Sequence, residues 1–169
     1  MTSLPVSLCT VQESDLIQIM LWRNDPRVMP YFFNTLAFTD EGQRRWFIQQ
    51  RSDPTQATWM IHVGDTSVGT IGLSNIDHYN CRAELSRMLV APSYQGKGYG
   101  TAAVNVLKRE AFGVMVLQRL YLTTFADNEP AKALYSYCGF CREGILRRHV
   151  IKDGQPRDVI IMGILKGDG

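Results

Sequence analysis

Six consecutive residues, Gln95-Gly96-Lys97-Gly98-Tyr99-Gly100, carry the densest chemistry in the chain. A glycine-rich turn that feeds a helix exposes successive backbone N–H groups, and the helix dipole adds positive potential, so the arrangement suits a pyrophosphate. Several nucleotide sites use such a loop, and spacing has to choose among them. A P-loop needs its lysine followed by Ser or Thr, whereas Lys97 is followed by Gly98. A dinucleotide fingerprint counted from Gly96 meets Thr101 where the third glycine belongs; counted from Gly98 it meets Ala103, which the looser form accepts. The acidic residue that should follow ~20 positions on is missing, since Arg119 and Leu120 lie there. What remains is the pattern Q/R-x-x-G-x-G/A, matched by Gln95, Gly98 and Gly100. Its plainer reading is a glycine-rich turn that holds no ligand.

The other chemistry-bearing spacing is Cys138-x-x-Cys141. A zinc site would need two further ligands, and neither a second C-x-x-C nor an H-x-x-x-H occurs. A thioredoxin-like pair opens a helix, whereas this one closes a helix and enters a strand. Both readings give way to structural cysteines, and no metal is expected.

The elements that must position the loop follow from periodicity. Residues 82–90 read as a strand before it. A helix from about Thr101 to Met115 follows, with Val104, Leu107, Ala111 and Val114 as its buried stripe. Residues 120–124 make a short buried strand. Asn128 caps the next helix, Pro130 sits in its tolerant first turn, and Gly139 closes it. Strands over about 143–151 and 157–165 turn at Asp153-Gly154. Upstream, residues 6–11 form a first strand, and a helix over 14–23 has Ser14 as its N-cap. Residues 25–39 are irregular, 40–50 form a second helix, and strands over 59–63 and 68–73 join at Gly64-Asp65. Hairpins combined with one strand–helix–strand crossover predict a mixed sheet with helices on its faces, an α/β (α+β) architecture.

Length and composition agree. A chain of 169 residues, 45% hydrophobic and 20% charged, fits one domain over 1–169. No apolar run approaches the ~18–20 residues needed to span a bilayer, and Met1–Val11 lacks the features of a signal peptide, so a cytoplasmic location is expected. The net charge of +2 is too balanced to argue for nucleic acid or a membrane surface. Arg147, Arg148, Lys152 and Arg157 read as the solvated face of a hairpin.

The loop and its flanks together resemble the GNAT superfamily of N-acetyltransferases. The resemblance rests on Arg82-Ala83-Glu84-Leu85 through Tyr94 before the loop, on Asn128-x-x-Ala131-x-x-x-Tyr135 with Gly139-Phe140 after it, and on the hairpin ending at Gly163. It is specific over residues 82–165 and looser over 12–80. It is nearest to the spermidine, ribosomal-protein and nucleotide-amino-sugar branch. It implies a GNAT fold of about seven strands, mostly antiparallel, flanked by about four helices. It further implies that acetyl-CoA wedges between splayed parallel strands. The cofactor residues it implies are Met88, Leu89, Val90, Gln95, Gly96, Lys97, Gly98, Tyr99, Gly100, Thr101 and Asn128. Lys132 is a further candidate for a CoA phosphate, set against plain solvation.

Acetyl transfer to an amine needs a base and a proton donor. A lysine-like amine is only about one part in 10³ neutral at pH 7, so its deprotonation matters. Glu84 is the carboxylate best placed by sequence, against the reading of a strand-end charge; Asp77 and His78 are runners-up. Tyr135 is the implied proton donor to the leaving thiolate, against that of a helix-core aromatic. Trp22, Arg23, Asn24, Tyr31, Phe33 and Asn75 are the candidates on the acceptor side, in a lobe over about 12–80. Arg23, Arg27, Arg44, Arg45 and Arg51 make that lobe basic, so a nucleotide-linked amino sugar is expected as the acceptor. A polyamine or a protein N-terminus is the alternative, a homodimer is compatible, and a CoA-binding sensor or a nucleic-acid-binding domain are the readings from other classes.

Overall fold

A computed structural model describes residues 5–34 and 36–168. The first four residues, part of the segment read as lacking a leader, and Thr35 in the irregular stretch lie outside the described residues. The chain runs β1 (Val6–Thr10), α1 (Leu16–Arg23), α2 (Asp40–Ser52), β2 (Ala57–Val63), β3 (Thr66–Asp77) and β4 (Arg82–Val90). It continues through α3 (Tyr99–Arg109), β5 (Arg119–Phe125), α4 (Glu129–Tyr137), β6 (Cys141–Lys152) and β7 (Gln155–Leu165). The strands form one sheet in the order β1-β2-β3-β4-β5-β7-β6. Every neighbouring pair is antiparallel except β4 and β5, whose crossover through α3 makes them parallel.

Alternation along the strands sends side chains to both faces, and both are covered. In β2, Ile61 joins the main core under α3, where Ala103, Val104, Leu107 and Ala111 are fully buried. Its neighbour Met60 points the other way, packing with Leu16 and Ile19 of α1 and Phe47 of α2. A sheet between two helical layers is the result.

Three local expectations need correction. Ser14 does not cap α1: a 3₁₀ turn over Glu13–Asp15 precedes the helix, so the serine lies inside it. The Asp15 carboxylate accepts the Gln12 N–H instead, at 2.8 Å. Val114 is 74% exposed, because α3 widens into a π-turn over Glu110–Val114 that rotates this residue off the buried stripe. The helix also starts earlier than expected, at Tyr99, directly on Gly98. Among the described residues, no helix is long and apolar enough to cross a membrane.

Candidate active site

The site begins where a strand pair stops pairing. β4 and β5 are matched only at Arg82–Arg119, Ala83–Leu120 and Glu84–Tyr121. Beyond Glu84 the strands diverge, which leaves one edge of β4 without a strand partner. The cause lies on the other side of β4. The three residues Thr70 to Gly72 of β3 face four of β4, Ser86 to Leu89, so β4 carries a bulge. Arg87 adopts a positive φ of 53° there, and the Thr70 hydroxyl donates to its carbonyl at 2.8 Å. A bulge bends its strand and strengthens the local twist, which turns the end of β4 away from β5. A cleft of about 910 Å³ fills the gap. Its size and its strand edge suit an elongated ligand that pairs with backbone.

At one end of this cleft lies the glycine loop. Gly98 is the N-cap of α3 with a left-handed φ of 79°, a conformation strained for any residue with a Cβ. The first-turn N–H groups at Tyr99, Gly100 and Thr101 precede the first intrahelical bond, Ala102 N–H to the Gly98 carbonyl at 3.0 Å. They are free for an anion, and α3 is 11 residues long. Gly100 is needed for a different reason. A Cβ there would lie 2.9 Å from Leu134 Cδ1 and 3.2 Å from Met88 Cε, so these two side-chain ends in the cleft wall would have to shift to admit it. The Gln95 side-chain amide donates back to the Val90 carbonyl at 2.9 Å, folding the loop onto the strand end.

Glu84 lines the cleft at the point where β4 and β5 part. Its carboxylate accepts from Asn75 Nδ2 at 2.8 Å and from Thr123 Oγ1 at 3.1 Å, so two donors fix its orientation. Tyr135 lines the cleft from α4. Only 7% of it is exposed, its ring meets Phe140 edge-on at 5.8 Å, and burial pushes its phenol well above the ordinary tyrosine value. The two readings of this residue coexist, since it is both part of the core and open to the cleft. Asn128 also has two tasks. Its carbonyl caps α4 by accepting from the Ala131 N–H at 3.2 Å, and it lines the cleft beside Thr124.

Of the sequence candidates, Met88, Leu89, Val90, Gln95, Gly96, Gly98, Tyr99, Gly100, Thr101, Asn128, Glu84 and Tyr135 line this one cleft, as do Arg23, Tyr31 and Phe33. The others do not. Lys132 points its ammonium at Glu129 and at the Ala126 carbonyl, 2.8 Å away, and Lys97 sits over the Tyr94 ring at the outer edge of the loop. Trp22 packs on the cluster beneath α1 and α2. Asn24 clamps Phe38, donating to its carbonyl and accepting from its N–H, both at 2.7 Å. Asn75 reaches the cleft only through Glu84. Asp77 is tied to Asn80 and Arg82, away from the cleft.

The arginine count also misled. Arg44 bridges Glu13 and Asp40, Arg45 pairs with Glu41, and Arg51 lies over Phe47 on the outer side of α2. Arg27 lines the cleft but is held by Asp25. Helix spacing makes Arg44–Asp40 and Arg45–Glu41 ion pairs, which a count of charges ignores. The cleft receives Arg23 and, unexpectedly, Arg87 at the bulge. Arg23 packs against the Phe38 and Phe32 rings at 3.8 and 4.9 Å, and burial, then the charge of Arg87, brings its guanidinium down to about 10. Arg87 was missed because a bulge is a property of two strands; its only signal was an arginine directly before the apolar run Met88-Leu89-Val90.

Lys152 is the other residue that sequence reasoning misplaced. It is 5% exposed and not solvated: its ammonium donates to the carbonyls of Asn34 at 2.6 Å and Met29 at 3.2 Å. The long β6–β7 hairpin thereby pins the segment carrying Tyr31, Phe32 and Phe33, one wall of the cleft.

Known proteins share this arrangement. The acetyltransferase (GNAT) domain family matches residues 6–141. The chain is 29% identical over 163 residues to the spermidine N(1)-acetyltransferase of Escherichia coli (strain K12), covering 95% of this chain and 86% of that one. It is 37% identical over 87 residues to the N-alpha-acetyltransferase RimI of Mycobacterium tuberculosis, covering 51% of this chain and 52% of the other. The crystal structure of a Vibrio cholerae spermidine N-acetyltransferase in complex with CoA and spermine superposes with a TM-score of 0.90 at 25% identity over 96% of both chains.

Proposed function

The chain belongs to the GNAT acetyltransferase family, and from that premise we propose that it acetylates a primary amine of a polyamine, with acetyl-CoA as donor. The observation that carries the donor assignment is the cleft that opens where β4 and β5 stop pairing, with the N–H groups of α3 at its end. The pyrophosphate of CoA fits those amides, and its pantetheine arm fits the free edge of β4 from Leu85 to Val90. Acetyl-CoA supplies an activated acetyl group as a thioester.

The chain's own residues do the rest. A backbone N–H of β4 near Met88 polarises the acyl carbonyl. Glu84, oriented by Asn75 and Thr123, removes the ammonium proton of the acceptor, directly or through water, and frees the nitrogen lone pair for attack. As the new C–N bond forms and the C–S bond breaks, Tyr135 donates its phenolic hydrogen bond to the sulfur that leaves. Burial holds this phenol protonated, which favours stabilising the thiolate by a hydrogen bond over complete proton transfer.

The nucleotide-linked amino sugar expected from the arginine count gives way here. Spermidine acetyltransferases match the chain over nearly its whole length, and four of the five arginines behind that expectation either pair with carboxylates or lie outside the cleft. The test is an acceptor panel with acetyl-CoA, read by free thiol. Spermidine or spermine should give kcat/KM at least ~10-fold above a nucleotide-linked amino sugar or a peptide N-terminus. Preference for either of the latter overturns the polyamine reading. Binding of acetyl-CoA with no thiol release from any amine indicates a CoA-binding sensor.

A further inference from the structure

Behind the cleft wall lies a second, much smaller cavity of about 10 Å³, the scale of a single bound atom or water. Ile19, Arg23, Phe32, Trp46, Thr58, Thr70 and Arg87 enclose it. Buried polar atoms in proteins are almost always paired, and an unpaired one asks for an unseen water or ion. Four such atoms belong to residues around this one cavity: Arg23 Nε, Trp46 Nε1, Thr58 Oγ1 and Arg87 Nη1.

The chemistry of the set is lopsided. Guanidinium and indole N–H groups only donate. Thr58 and Thr70 alone bring oxygens to the lining side chains, and the Thr70 hydroxyl already donates to the Arg87 carbonyl. A water molecule could place its hydrogens on the threonine oxygens but would accept from only two of the three unpaired N–H groups. A monatomic anion accepts from every donor and places none. Charge points the same way. Neither guanidinium has a carboxylate hydrogen-bonded to it among the described residues: Arg87 Nη2 donates to the Gln56 amide oxygen, at 2.5 Å. Asp53 and Glu84 act on Arg87 only from a distance, and no carboxylate acts on Arg23, which has burial and the charge of Arg87 against it. Two part-buried cations so placed are costly without a counter-ion.

We propose that this cavity is a halide site, occupied by chloride held between Arg23 and Arg87 with Trp46 and Thr58 completing its shell. The site has a consequence for the reaction, a step that rests on the polyamine reading above. Arg23 and Arg87 also line the acceptor side of the cleft, where this pair of positive charges, with no carboxylate acting on Arg23, would disfavour a polycation. Bound chloride cancels one of them, and chloride therefore raises activity toward a polyamine at fixed ionic strength.

Thermal unfolding is measured at constant ionic strength while sodium chloride or bromide replaces sodium gluconate, whose anion is too large for the cavity. Chloride and bromide should raise Tm by roughly 2–5 °C as the site fills, and gluconate should not. Thr58→Val removes one donor at nearly constant volume, Trp46→Phe removes another while leaving a smaller ring, and each should weaken the apparent halide affinity by about 10-fold. Using two variants keeps the test decisive if one fails to fold. In bromide-grown crystals an anomalous peak should lie between the two guanidiniums. Equal Tm values in chloride and gluconate, or a water without anomalous signal in the cavity, overturn the halide site. If halide binds but the spermidine kcat/KM is the same in chloride and gluconate, the site stands and its effect on the acceptor is overturned. A failure of the acceptor panel leaves both halide readouts intact.

Discussion

The two ends of the cleft are made of different materials. At the end proposed for the donor, the groups that face the cleft are backbone: the first-turn N–H groups of α3, the free edge of β4 and the left-handed Gly98 between them. At the acceptor end they are side chains from distant parts of the chain: Arg23 from α1, Tyr31 and Phe33 from the segment that follows, Arg87 from the β4 bulge, and Lys152 pinning that segment from the far hairpin. A backbone site tolerates almost any side chain but few changes of backbone conformation. A side-chain site has the reverse tolerance, because its framework survives while its chemistry changes. One fold can therefore keep a single donor and vary the acceptor.

The largest effect expected from this contrast is at Gly98. A valine there must adopt a φ of 79° or move the loop, although its Cβ would meet no atom within 4 Å. Gly98→Val should weaken acetyl-CoA binding by ~100-fold or more in calorimetric titration while leaving the fold intact. Affinity within a few-fold of the parent would show that the loop is an ordinary turn.

Smaller losses are expected where the two ends meet. Tyr135→Phe should keep acetyl-CoA affinity and lower kcat by roughly 10–10³-fold, since only a bond strengthened in the transition state is removed. Because burial raises this phenol, the parent kcat should show no falling limb from it up to the ordinary tyrosine value of ~10. An unchanged kcat in the variant would return Tyr135 to the core alone. Glu84→Gln should slow turnover at pH 7 by about 10–10²-fold and recover at high pH, where the amine deprotonates by itself. A pH–rate profile of unaltered shape would place the base elsewhere.

The smallest effect tests whether the acceptor wall is held from outside. Lys152→Met leaves the Met29 and Asn34 carbonyls without their donor, at a cost of ~1–3 kcal/mol. The acceptor KM should rise about 3–10-fold with acetyl-CoA affinity unchanged, and Lys152→Arg should restore part of it. Equal damage to both substrates would mean that Lys152 supports the whole domain and not one wall.

The same contrast explains what was legible beforehand. Glycine spacing, the Asn128 cap and the Asp153-Gly154 turn are local signals, because each depends on the φ or the hydrogen bonds of a few successive residues. They placed the glycine loop and most of the elements in the second half of the chain. Ser14 failed because a 3₁₀ turn precedes α1 and holds the serine inside it, and Val114 because a π-turn rotates it off the buried stripe. Arg44 and Arg45 failed because charge was counted before pairing was known.

By itself, then, the amino-acid sequence determined that this is an α/β domain with a glycine-rich turn at the start of α3, since backbone conformation at a glycine is settled within a few residues. Tertiary structure alone decided the acceptor end. The bulge that turns Arg87 inward exists only when β3 and β4 pair out of step, and Lys152 reaches the Asn34 carbonyl across 118 positions of chain. Contacts at that separation depend on the packing of the whole sheet, and no local pattern of residue types encodes them.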